Sequence, residues 1–74
     1  MKVVARSIER YNGGVTAKRK YGSSTITRFI VHRAEDGERP DRWVEVETGG
    51  RTAAERSAKA RAEGAVLLHA QLGQ

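Results

Sequence analysis

TAAERSAKARAEGAVLLHAQL, residues 52–72, is the stretch against which the rest of the chain has to pack. It opens with Thr52-Ala53-Ala54-Glu55, the pattern of a capping box. The Thr52 hydroxyl can accept the amide of Glu55, and the Glu55 carboxylate can reach back to the amide of Thr52, so a helix is expected to start here. Apolar residues then recur at three- and four-residue steps, Ala54, Ala58, Ala62, Ala65, Leu68 and Leu72, and predict one helical face for a sheet to rest on. Glu55 and Lys59 stand in the favourable i, i+4 order. Gly64 creates a fork. As the residue just past a helix ending at 63, it would release 65–71 as a final strand. Inside a longer helix it costs about 1 kcal/mol relative to alanine. The long helix is preferred, because 66–72 contains one β-branched residue, its apolar positions continue the earlier face, and Gly73 offers another stop.

Working back from the helix, 43–48 alternates Val44 and Val46 against Trp43, Glu45 and Glu47, the pattern of a strand with one wet face, and Gly49-Gly50 should end it. Before it, 34–41 is a polar connection with Asp36-Gly37 and Pro40. The stretch 25–32, rich in Thr, Ile, Phe and Val, is the plainest strand in the chain. Residues 3–11 read as a further strand and Asn12-Gly13-Gly14 as a turn. A fourth strand through Val15, Ala17, Arg19 and Tyr21, or a basic loop, follows. The expected fold is therefore α+β, an antiparallel meander of three to four strands packed on one C-terminal helix, in a single small domain over 1–74.

Composition narrows the function classes. A chain of 74 residues is near the lower limit for a single core without a staple and has little room for a large pocket. There is no cysteine, hence no disulfide, thiolate zinc site or cysteine nucleophile. His32 and His69 sit on different elements without companions, so neither a metal nor a cofactor is expected. No apolar run is long enough to span a bilayer, and the first residues lack the apolar core of a signal peptide, which predicts a soluble cytoplasmic protein. Acid–base catalysis needs poised groups converging on a dry pocket. The acids of 35–47 fall in a connection or, as Glu45 and Glu47, on a solvated strand face. Ser23, Ser24 and Ser57 lack a histidine at a recognisable spacing. No catalytic residue is assigned and the chain is not expected to be an enzyme. Gly49-Gly50-Arg51-Thr52, before the capped helix, is a weak anion-binding candidate.

Charge is the most informative property. Residues 1–33 carry eight bases against Glu9 alone, a net +7, while 34–74 carry six bases and eight acids, a net −2. With a sequence pI near 10.2, a polyanionic partner comes first. Phosphate contacts are assigned to Lys18, Arg19, Lys20, Arg28 and Arg33, with Arg6 and Arg10 in support. The competing class is a protein-interaction module, a homodimer or a small inhibitor. One helix cannot cover both faces of the sheet, and either Phe29 with Val31 or Ile26 with Ile30 must point away from it, so an apolar or aromatic patch around Trp43, assigned to Phe29 and Val31, is expected on its open side.

A short antiparallel sheet followed by a C-terminal helix is similar in layout to the double-stranded-RNA-binding domain and to the sheet-reading DNA-binding domains of some phage-type integrases and plant transcription factors. The resemblance is one of layout alone, and no family is assigned from it. The basic Lys-Lys-x-Ala-Lys helix start of the double-stranded-RNA family is replaced here by Ala53-Ala54-Glu55-Arg56-Ser57, and that family's first helix has no counterpart.

Overall fold

A computed structural model describes residues 1–8 and 25–73. Three strands, β1 (Val3–Ser7), β2 (Thr25–Arg33) and β3 (Val44–Gly50), are followed by one helix, α1 (Ala53–Leu72). The strands form an antiparallel sheet in the order β1-β2-β3, so the α+β arrangement with a β-β-β-α order holds. In the register, Val3 lies opposite Arg33 and Ser7 opposite Phe29, while Phe29 faces Val46 and Val31 faces Val44. The ladder continues past β1, where Ile8 donates to the Arg28 carbonyl at 2.9 Å. Residues 9–11 of the expected first strand, the Asn12-Gly13-Gly14 turn and the expected fourth strand lie outside the described residues.

Because strand side chains alternate between faces, this register puts Val3, Ala5, Thr27, Phe29, Val31, Val44, Val46 and Thr48 on one side, against α1. Phe29, Val31, Val46, Ala60 and Leu68 form the core, with Val3, Ala5 and Val44 packed on its rim. Phe29 and Val31 were expected on an open partner surface. Instead they are 5% and 0% exposed, because the register sets them beside Val46 and Val44 on the face of β2 that α1 covers, with Val31 against Gly64.

The helix runs through Gly64 without a break, and the reason lies in the sheet. A Cβ at Gly64 would stand 2.5 Å from both Cβ and Cγ1 of Val31. Helix and sheet approach closely here. The propensity cost of a helical glycine, about 1 kcal/mol, is outweighed by the contact that the missing side chain permits. The same contact corrects the expected helix face. The buried residues are Ala60, Gly64 and Leu68, four apart; of the expected face Leu68 is buried and Ala65 and Leu72 are half-buried, whereas Ala54, Ala58 and Ala62 are exposed. Two stripes of small residues compete on this helix, and the one holding the single glycine wins because only it admits Val31.

The cap forms as the sequence implies, with a variation. Thr52 Oγ1 accepts from the Glu55 amide at 3.1 Å, but the Glu55 carboxylate accepts from the amide of Arg51, at 3.2 Å, in place of that of Thr52. Gly49 and Gly50, expected to end β3, belong to it, paired with Ile26 and Thr25. A Cβ on Gly50 would meet Glu55 Cδ at 3.0 Å and Arg56 Cγ at 3.2 Å, so glycine lets the strand run under the first helical turn. Arg56 then ties helix to sheet, its Nε donating to Thr27 Oγ1 at 2.9 Å and its Nη1 to the Gly50 carbonyl at 2.7 Å. Thr48 Oγ1 donates back to the Arg56 carbonyl at 2.8 Å. These bonds satisfy polar groups that would otherwise be costly to bury beside the core.

Candidate nucleic-acid interface

The side of the sheet turned away from α1 carries Val4 and Arg6 from β1, Ile26, Arg28, Ile30 and His32 from β2, and Glu45, Glu47 and Gly49 from β3. Arg6 lies opposite Ile30 and Arg28 opposite Glu47. Arg6 and Arg28 are thus diagonal neighbours on adjacent strands, a placement that lets two long cationic side chains reach the same ligand. Both sit at the end of the β1–β2 hairpin from which 9–24 departs.

Other groups temper this positive character. Arg28 Nη2 lies 3.9 Å from Glu47 Oε2, and Glu45 is exposed on the same side. Arg6 donates to the Glu38 carbonyl at 3.3 Å, so the β2–β3 connection returns over this face. Trp43 is 46% exposed at the entrance to β3, and Val4 is 37% exposed. Ile26 and His32 are buried although they point away from the helix, so the expected apolar patch shrinks to Val4, half-buried Ile30 and Trp43. His32 Nδ1 donates to the Arg33 carbonyl at 2.8 Å, since a carbonyl can only accept. Its Nε2 is buried and has no hydrogen-bond partner among the described residues.

Arg33 belongs elsewhere. Its Nε and Nη2 hold the two carboxylate oxygens of Asp36 at 3.0 Å each, in a bidentate fork, with Glu35 at 3.7 Å from Nη1. The hydrogen bonds and charge of Asp36, joined by Glu35, hold the Arg33 guanidinium above its ordinary pKa. This pairing fastens the short 3-10 turn of Ala34–Asp36 onto the end of β2. A guanidinium fork filled by a carboxylate has little left to offer a phosphate. Arg33 is therefore a structural clamp. The remaining assigned bases, Arg10, Lys18, Arg19 and Lys20, lie outside the described residues.

The weak anion candidate before α1 is filled from within. The Glu55 carboxylate takes the Arg51 amide and Lys59 Nζ at 3.3 Å. Lys59, then the Arg51 amide, lower the Glu55 pKa below the usual carboxylate range. The protein's own anion occupies the position that a phosphate would take. Among the described residues no group of three or more His, Asp or Glu could hold a metal ion, and no helix is long and apolar enough to cross a membrane.

Fold and surface together define a small basic β-β-β-α domain, one face of its sheet under a helix and the other presenting mixed charge. No protein-family model, curated protein or solved structure matches the chain.

Proposed function

We propose that the protein is a nucleic-acid-binding accessory protein of the cytoplasm, a binder and not an enzyme, that contacts phosphates through Arg6 and Arg28 together with the basic 9–24 segment between their strands. The observation that carries this reading is the shared position of Arg6 and Arg28 on the outer face, at the mouth of a segment with four bases (Arg10, Lys18, Arg19, Lys20) and one acid (Glu9). Strands and β-ribbons are known to enter the major groove, which is about 12 Å wide. Affinity from such contacts rests on counterion release and falls steeply with salt.

Labelled duplex DNA and duplex RNA, titrated at two salt concentrations, test it. Binding should weaken as salt rises. Arg6→Ala and Arg28→Ala should each weaken it uniformly across sequences and lower the salt slope by about 1. Arg33→Ala should leave the slope unchanged. Absence of binding at low salt, or binding indifferent to salt, removes the proposal.

A further inference from the structure

The hydrogen-bond parity of the sheet fixes which backbone groups β3 presents outward. The Lys2 carbonyl accepts from Ala34 and the Ile8 amide donates to Arg28, so the even-numbered residues of β2 bond to β1. The odd-numbered residues of β2 therefore bond to β3, through Val44, Val46, Thr48 and Gly50. It follows that Glu45, Glu47 and Gly49 direct their N–H and C=O groups away from β2. The Lys59 ammonium confirms this phase by reaching the Gly49 carbonyl from outside, at 2.9 Å.

Three features gather on that edge. A shallow groove between it and α1 is lined by Glu45, Val46, Gly49, Lys59 and Glu63 among others. Glu45 and Glu63 are exposed and carry no ion pair among the described residues. Trp43, half exposed, immediately precedes β3. Glu47, whose carboxylate faces Arg28, is left out of the recognition set.

We infer that the outer edge of β3, from Trp43 toward Glu45, is a docking site for an extended polypeptide segment carrying Arg or Lys at alternate positions, which adds to the sheet as a fourth strand. Backbone pairing at Glu45 supplies register, and side chains on one face of the added strand meet the Glu45 carboxylate and the Trp43 ring. Side chains on its other face enter the groove, where the Glu63 carboxylate also favours a base. Lys59, fastened to the Gly49 carbonyl, ends the added strand at that point, as edge lysines do. A second copy of this β3 is a poor occupant, because the antiparallel registers that pair most of the edge with itself, centred on residue 45, 46 or 47, put a glutamate opposite a glutamate. A phosphate backbone is excluded by the same carboxylates. The proposal does not rest on the nucleic-acid reading, although Glu45 lies on the same side of the sheet as Arg6 and Arg28.

The probe is a capped seven-residue peptide alternating arginine with valine, against a counterpart with glutamate in place of arginine, each titrated into isotope-labelled full-length protein. The arginine peptide should saturate, with the largest amide shifts at Trp43 and Glu45, and bind at least tenfold tighter than the glutamate peptide. Glu45→Lys should reverse that preference. Glu45→Pro removes an amide the sheet does not use, so it should keep the wild-type unfolding midpoint and lose at least tenfold in arginine-peptide affinity. Should the proline variant fail to fold, the lysine variant decides alone. The inference is overturned by any of four results: no saturation by millimolar peptide, shifts centred on Arg6 and Arg28, unchanged preference in Glu45→Lys, or a protein dimer that Glu45→Lys abolishes. Arg6→Ala, which should weaken duplex binding and leave the arginine-peptide affinity unchanged, keeps this test distinct from that of the nucleic-acid reading.

Discussion

The two faces of the sheet are made by the same three strands, one residue out of phase, and they serve opposite ends. The face toward α1 takes Phe29, Val31 and Val46 to near-complete burial and satisfies its polar groups internally through Thr27, Thr48 and Arg56. The other face keeps arginines, glutamates and a half-exposed tryptophan near solvent. The difference teaches that stability in a chain this small is concentrated on one contact surface, the packing of α1 across the sheet, which leaves the other side freer to vary.

The sharpest way to break this contrast is on the covered side. Leu68 is fully buried in the core, so Leu68→Ala should cost about 2–5 kcal/mol. For a domain near the lower size limit that can abolish a folded baseline, as chemical denaturation would show. Gly64→Ala is expected to cost about 2 kcal/mol although alanine is the better helix former, because the new methyl overlaps Val31. Adding Val31→Ala should recover part of that loss in a double-mutant cycle, whereas additive losses would mean that the close approach is not what glycine serves. Thr52→Ala, which removes the side-chain acceptor of the Glu55 amide, should cost about 1 kcal/mol. On the exposed stripe of α1, Ala62→Ser should stay within about 0.5 kcal/mol of wild type in the same denaturation assay. A larger effect there would mean that this stripe is covered in solution.

The smallest effect is one of pH. The Glu55 pKa is lowered in the folded protein by Lys59 and the Arg51 amide. Its contribution is thus present above the ordinary carboxylate range and lost as pH falls through the depressed value. Comparing acid unfolding of Glu55→Gln with wild type should show the two curves converging at low pH and separating only slightly near neutrality, since the group is exposed.

How far the sequence could be read follows from where the information is stored. The helix start was legible because capping chemistry is local to Thr52 and Glu55. β2 and β3 were legible because their composition and alternation are local too. The length of α1 was legible from its composition, but the face it buries was not. Ala54, Ala58 and Ala62 form as plausible a stripe as Ala60, Gly64 and Leu68, and only the position of Val31 on another element separates them. Phe29 and Val31 were placed outward for a similar reason: either face of 25–32 is apolar enough to be the inner one. For the candidate interface, the sequence grouped Arg33 with Arg6 and Arg28 by charge alone. Its bidentate partner Asp36 stands only three residues on, so the i, i+3 spacing of opposite charges was an available clue. The outward phase of the β3 edge had no sequence signal, since it depends on which β2 residues bond to β1.

Alone, the chain's residues determined that there would be strands, a capped C-terminal helix and an excess of positive charge in the first half, because propensity, capping and charge are properties of neighbours in sequence. Tertiary structure decided which stripe of the helix is inside, which arginines face solvent together and which edge of the sheet directs its backbone outward. Those outcomes depend on contacts between residues some thirty positions apart, where the fit of one side chain against another selects among alternatives that the local chemistry leaves nearly equal in energy.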